Sequence, residues 1–303
     1  EVTLIESEAD FVCTGEGPVT VYELLQFIKG TKDWCYASKA NLRGVVYWDH
    51  GEVVISDPAP NVQNLDEEMP GGCWHKLDLR PYRSYAHHAW SNNFECKPYA
   101  SVYTSLGCPY HCGFCMIQSP FKAWESLISN GINLYRMWSP ESVMKEIAFL
   151  VDHLGVTNIR IDDEMFVLNE RHVSAICDLV SKQYKDSLNF WCYGRVDQTK
   201  DKFLEKMCKA GFKWIGLGIE SLSEHVREGV DKAGYGTEDI IKTVERIKSH
   251  GINIIANYMF GLPDDTMETM RQTLDLALEL RTEYVNMYAA VAFPGSKLFY
   301  DSV

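Results

Sequence analysis

The sequence predicts an α/β fold built on a parallel sheet, and three observations carry that prediction. Strand-like and helix-like runs alternate from about residue 97 to the end of the chain. The strand-like runs are nearly continuous in apolar character, as are strands covered by helices on both faces. The intervening runs space their apolar residues three and four apart and carry helix start and stop signals.

Strands are expected at Tyr99–Thr104, Val156–Asp162, Leu188–Tyr193, Lys213–Ile219, Ile252–Met259 and Tyr284–Val291. The first helix between them is capped by Ser139, opens at Pro140, and sets Val143, Ile147, Leu150 and Val151 on one face. The second runs from about Glu170 and buries Val173, Ile176, Cys177 and Val180. The third covers Lys202–Ala210 and stops at Gly211; the fourth starts at Thr237 and stops at Gly251. The fifth begins near Asp264–Thr266 and carries Met270, Leu274, Ala277 and Leu278. Strict alternation of this kind implies right-handed crossovers. Curled round, the sheet is a six-stranded partial barrel; a doubly wound open sheet gives the same alternation. In both, ligands bind at the carboxyl ends of the strands.

The first 60 residues have a different pattern. Phe11-Val12-Cys13 precedes the turn Thr14-Gly15-Glu16-Gly17-Pro18 and a helix from about Val19 to Ile28. Gly44–Trp48 and Glu52–Ile55, joined by Asp49-His50-Gly51, read as a hairpin. Residues 57–98, rich in Pro, Asp, Asn and Tyr, read as a connector.

The chain has 303 residues and a net charge of −13, so it lacks the excess of cations that holds a nucleic-acid backbone. No apolar run approaches the roughly 18 residues of a membrane span, and no export signal opens the sequence. It starts on Glu1, not Met, and stops soon after a strand, the expectation being an excerpt of a longer protein. Ten cysteines without an export signal are expected to be reduced thiols in the cytoplasm.

Seven of those cysteines show no ligand spacing. The other three, in Gly107-Cys108-Pro-Tyr-His-Cys112-Gly-Phe-Cys115, follow directly on the first strand of the alternating region. A structural zinc site takes four ligands, and no fourth cysteine falls in register. Three thiolates suit a four-iron cluster with one iron left open. The competing readings are three free thiols, an incomplete zinc knuckle, or an electron carrier.

This segment resembles the radical S-adenosylmethionine (SAM) superfamily, whose CxxxCxΦC signature places an aromatic residue before its last cysteine, as Phe114 stands here. The resemblance covers roughly residues 97–303. It implies a partial (β/α)6 TIM-like barrel, a [4Fe–4S] cluster on Cys108, Cys112 and Cys115, SAM chelated to the open iron, and Phe114 near the adenine. Asp162-Asp163-Glu164 stands where family members receive the methionyl amino group, although the usual Gly-Gly-Glu motif is absent. Asp163 and Glu164 are therefore expected at the cofactor, against the reading of an acidic helix cap. Arg195 is expected on the SAM carboxylate, against an ion pair with Asp197. Glu220 and Ser221, in Gly-Ile-Glu-Ser, and Gly261, in Gly-Leu-Pro, would line the same site. His87 and His88 are read as surface residues in preference to a metal pair.

The segment from Ala9 to Gly17 and the helix after it resemble the tail of the cobalamin-binding domain that precedes many radical SAM cores. Asn64–Pro70 and Leu77–Tyr82 resemble the linker of that subfamily. The implied organisation is the C-terminal part of a Rossmann-like cobalamin-binding domain over 1–60, a linker over 61–96 and the radical SAM core over 97–303. Gly15, Glu16 and Gly17 would lie near the nucleotide tail of cobalamin. The Asp-x-His-x-x-Gly pattern of many cobalamin proteins is absent. The resemblance implies reductive SAM cleavage, then either cobalamin-dependent methylation of an unactivated carbon or a cyclisation or rearrangement without methyl transfer. A flavodoxin- or ferredoxin-like electron donor and a small-molecule or peptide substrate are the implied partners.

Overall fold

A computed structural model describes residues 2–30, 42–84, 97–117 and 135–303. His87 and His88 lie outside the described residues. By contact density the chain divides into Glu1–Asn64 with Met116–Leu134, and Leu65–Cys115 with Tyr135–Val303.

The larger unit carries a six-stranded sheet of β4 (Tyr99–Val102), β7 (Asn158–Ile161), β8 (Asn189–Arg195), β9 (Phe212–Glu220), β10 (Asn253–Phe260) and β11 (Tyr284–Ala289). Their spatial order is their order along the chain, and every pairing is parallel. A doubly wound sheet reverses its strand order at a switch point. None occurs here, so the strands follow one another as in a partial TIM-like barrel.

The five expected helices are present. They are α4 (Pro140–Ala148), α5 (Glu170–Tyr184), α6 (Asp201–Lys209), α8 (Thr237–Ser249) and α9 (Met267–Leu280); the short α7 (Glu224–Glu228) follows β9. Ser139 caps α4 by accepting from the Ser142 N–H at 3.2 Å, and Asn169 caps α5 through His172 N–H at 3.1 Å. After α4 the chain makes a π-helical turn over Phe149–His153. Alternate strand residues face these helices. Ile159, Ile161, Phe190, Cys192, Ile215, Leu217, Ile254 and Ala256 are all buried. Phe212 stacks between Phe166 and Phe190 with ring centroids 5.1 and 4.9 Å away. Burying each such ring stabilises the fold by about 2–3 kcal/mol. The opposite, concave face of the sheet carries Arg160, Trp191, Tyr193, Arg195 and Trp214.

Two features depart from expectation. All six residues of β11 are exposed: the strand is paired on one side alone, although Tyr284 packs on Trp214 with ring centroids 5.6 Å apart. A two-residue antiparallel pair, β5 (Ser105–Leu106) with β6 (Arg136–Met137), also follows β4. Strands that short leave no period in a sequence. Residues 65–84, read as connector, fall within the larger unit and include α3 (Leu65–Glu68) and a 3-10 turn at Trp74–Lys76.

In the smaller unit α1 (Val2–Glu6) precedes β1 (Phe11–Cys13), α2 (Pro18–Lys29), β2 (Val45–Asp49) and β3 (Glu52–Ile55). The three strands pair antiparallel in chain order. Leu24 and Phe27 of α2 pack on Val45, Tyr47, Phe11 and Cys13.

Candidate active site

The cysteine loop leaves the carboxyl end of β4 through a turn at Gly107, whose φ of 82° is a left-handed conformation natural to glycine. Its course is held through peptide groups. Gly113 N–H donates to Val230 C=O at 2.8 Å, and Gly113 C=O accepts from Leu298 N–H at 2.8 Å. Cys115 N–H donates to Cys112 C=O at 2.9 Å. Cys108 is buried, and burial pushes its thiol up to about 11; Cys112 and Cys115 are half-buried. Among the described residues no three His, Cys, Asp or Glu side chains converge on one metal-ion position.

Arg195, at the end of β8, reaches this loop. Its Nη1 lies 3.6 Å from Cys112 Sγ, Nε donates to Asp197 Oδ1 at 2.7 Å, and Nη2 donates to Ala233 C=O at 2.7 Å. The guanidinium also stacks on Tyr110, 4.3 Å from the ring centroid. The ion pair with Asp197 thus exists, but it is part-buried, and it aims the arginine at the cysteine loop.

The neighbours Asp163 and Glu164 do different things. Asp163 was expected at the cofactor; instead its fully enclosed carboxylate accepts from Thr104 N–H at 2.6 Å, Thr104 Oγ1 at 2.5 Å and Ser105 Oγ at 2.7 Å. It fastens the corner between β4 and the cysteine loop, with His172 Nε2 3.1 Å from Thr104 Oγ1 behind it. Glu164 has a buried Oε2 with no hydrogen-bond partner among the described residues. Burial raises its carboxyl above the ordinary range.

At the end of β9, Glu220 takes a left-handed φ of 64° and forms a buried ion pair with Lys232. Burial pulls the Lys232 ammonium down, but the Glu220 carboxylate outweighs it and holds the lysine above its usual range. A Cβ on Gly218 would stand 2.8 Å from Lys232 Nζ and 2.9 Å from Glu220 Oε1, so this glycine makes room for the pair. Lys232 Nζ lies 5.8 Å from the centre of the Phe114 ring, a cation–π distance. Phe114 itself packs on Val226, Val230 and Leu262. Ser221 is fully buried; its Oγ lies 3.3 Å from Thr273 Oγ1 and accepts from Ser223 N–H at 3.2 Å. Beneath it the fully buried Arg227 donates to the carbonyls of Ser221, Leu222 and Tyr235. Neither Lys232 nor Arg227 is singled out by spacing. Their only signal is a cation on either side of the short Glu228–Asp231 segment, which holds one glycine.

Gly261 has a φ of 81°, and Asp265 Oδ2 accepts from the Gly261 and Leu262 N–H groups at 2.9 and 3.2 Å. The turn after β10 is so closed over Leu262. In the smaller unit Gly15 and Gly17 both take positive φ, and the Glu16 carboxylate accepts from Val62 N–H at 2.8 Å. A cleft of about 350 Å³ opens at the amino ends of β7 to β10, lined by Asn158, Asn189, Lys213 and Asn253. It lies at the opposite end of the strands from the cysteines.

The profile of the Radical SAM superfamily matches residues 102–277, and the chain belongs to that superfamily. It is 28% identical over 301 residues to an uncharacterized methyltransferase, PH0819, of Pyrococcus horikoshii, covering 99% of this chain and 59% of that protein. It is 24% identical over 295 residues to an anaerobic magnesium-protoporphyrin IX monomethyl ester cyclase of Cereibacter sphaeroides, covering 96% of this chain and 44% of the cyclase. The chain therefore spans about half the length of such relatives. Its fold is similar to that of the radical SAM methyltransferase TsrM from Kitasatospora setae, solved with cobalamin and a [4Fe–4S] cluster. The TM-score is 0.72 at 17% identity, over 97% of this chain and 54% of that one. No helix among the described residues is long and apolar enough to cross a membrane.

Proposed function

We propose that Cys108, Cys112 and Cys115 hold a [4Fe–4S] cluster at which SAM is reductively cleaved, and that the parent protein uses this with cobalamin to methylate an unactivated carbon. The carrying observation is the position of the three thiols on one peptide-clipped loop at the carboxyl edge of a parallel sheet. When bound, the cluster supplies the electron that cleaves SAM to methionine and a 5′-deoxyadenosyl radical. This chain's residues orient the cofactor and exclude water from it. Glu164 Oε2, buried without a partner, is an acceptor suited to the methionyl ammonium group. Arg195, aimed by Asp197, suits the SAM carboxylate. Phe114 and the Gly261 turn wall the adenine, Glu220 and Ser221 shape the ribose side, and Asp163 positions the loop from below.

The relatives named as methyltransferases favour methyl transfer. The cyclases, matching up to 96% of this chain, support a second outcome in which the substrate radical closes a ring. In the methylating reading Gly15, Glu16 and Gly17 lie near the nucleotide tail of cobalamin. A flavodoxin- or ferredoxin-like donor would feed the cluster.

The test is anaerobic reconstitution with iron and sulfide, addition of SAM and dithionite, and mass-spectrometric assay of 5′-deoxyadenosine. The wild-type chain is expected to form it and a Cys108/Cys112/Cys115→Ala triple variant to form none. A reconstituted four-iron protein that neither binds nor cleaves SAM would overturn the proposal in favour of an electron carrier.

A further inference from the structure

The concave face of the sheet holds a polar arrangement that the cofactor site does not use. Arg160 Nη2 donates to Tyr193 Oη at 2.8 Å, and the same guanidinium is ion-paired with Asp162. It lies 4.5 Å from the Trp191 ring centroid and 5.3 Å from that of Tyr193. The two rings meet edge to face at 4.5 Å. Gly216, opposite Tyr193 on β9, admits this packing: a Cβ there would stand 3.0 Å from the Tyr193 ring and 3.3 Å from Trp191. Tyr193 is therefore fixed in place and direction.

A phenol whose oxygen already accepts from a guanidinium keeps its own proton to donate. Among the described residues no acceptor for that proton is present, and Tyr193 is half-buried. It lies two residues before Arg195 on the same strand face, about 7 Å below the residue that touches Cys112. Along the same face stand the Asn257–Asn286 amide pair at 3.0 Å and the half-exposed Tyr288. The cations described there are each matched by a carboxylate: Arg160 by Asp162, Arg195 by Asp197, and Lys232 by Glu220. Glu164 is left for the SAM ammonium group. Aromatic and amide walls favour an uncharged guest, because Arg195 is taken by the SAM carboxylate while Arg160 and Lys232 each keep a carboxylate beside them.

We infer that Tyr193 is a substrate-orienting donor, and that the sheet face around it takes an uncharged planar group carrying a hydrogen-bond acceptor, such as a ring nitrogen or a conjugated carbonyl. This rests on the proposed chemistry at the cysteine loop, which places substrate over the same face. The test uses three probes of similar size at pH 7.5. They are quinoline, with a ring-nitrogen acceptor; indole, which donates instead; and quinoline-4-carboxylate, an anion. Equilibrium binding is measured by calorimetry on the whole chain and on Tyr193→Phe, which keeps the ring and its packing.

Quinoline is expected to bind the unaltered chain more tightly than either of the others. Tyr193→Phe is expected to weaken quinoline about fivefold, the effect of one hydrogen bond, and to leave indole within about twofold, which shows the rest of the face intact. Equal affinity for quinoline and indole, tighter binding of the anion, or an unchanged quinoline affinity in Tyr193→Phe would overturn the inference. None of the probes needs a cluster, so failure here is distinct from a failure to form 5′-deoxyadenosine.

Discussion

Strands β9 and β11 belong to one parallel sheet and are both rich in apolar and aromatic residues, yet they have opposite fates. β9 lies inside the sheet with seven of its nine residues buried, and its carboxyl end gathers two buried cations, Lys232 and Arg227, under the cysteine loop. β11 is the edge, with Met287 and Tyr288 each half exposed. Position in the sheet, more than composition, decides which strand end can hold charges out of water. A buried charge needs a partner fixed on neighbouring elements, and an edge strand has neighbours on one side alone.

The comparison is tested hardest at the Lys232–Glu220 pair. Lys232→Met leaves a buried carboxylate alone and is expected to lower stability by about 3–5 kcal/mol in urea denaturation. Adding Glu220→Gln should return part of that loss. A single variant as stable as the parent would mean that the pair is solvated. Next in size is Gly216→Ala, whose new methyl meets Tyr193 and Trp191 on the concave face; a loss of about 1–3 kcal/mol is expected in the same measurement.

A third effect shows itself in acid. Burial lowers the His172 pKa below its ordinary value, so the folded state resists the proton that the unfolded chain accepts below about pH 6.5. The stability difference between the parent and His172→Gln should be level above that pH and shift against the parent as the pH falls below it. Equal acid sensitivity of the two proteins in pH-dependent thermal melts would contradict this. The smallest effect is expected at the edge: Val285→Thr on β11 should change stability by less than about 0.5 kcal/mol. A loss above 1 kcal/mol there would break the contrast between the two strands.

Much of this frame was legible in the residues. The six strand runs were readable because strands with helices over them are apolar at consecutive positions, and Ser139, Asn169 and Thr266 cap helices through local hydrogen bonds. The cysteine spacing was readable because all three thiols lie on one loop. What stayed hidden depends on direction or on distance along the chain. Asp163 and Glu164 are adjacent acids just past the end of β7, where no periodicity says which is enclosed; Thr104 and Ser105 bind the first, while the second retains a buried oxygen without a partner among the described residues. Lys232 meets Glu220 across twelve positions through a left-handed residue that no periodicity announces. The exposure of β11 is a property of its place at the edge, not of its own residues.

The clip at Gly113 has a consequence for the working life of such a site. Oxygen destroys exposed iron–sulfur clusters, and many metal-binding loops collapse once emptied because the metal itself is their main tether. Here the middle of the loop is tied to Val230 and Leu298 by backbone bonds that no metal supplies. After oxidative damage the thiols would still be presented along the same path. Repair would then amount to refilling a standing mould, with no segment to refold first.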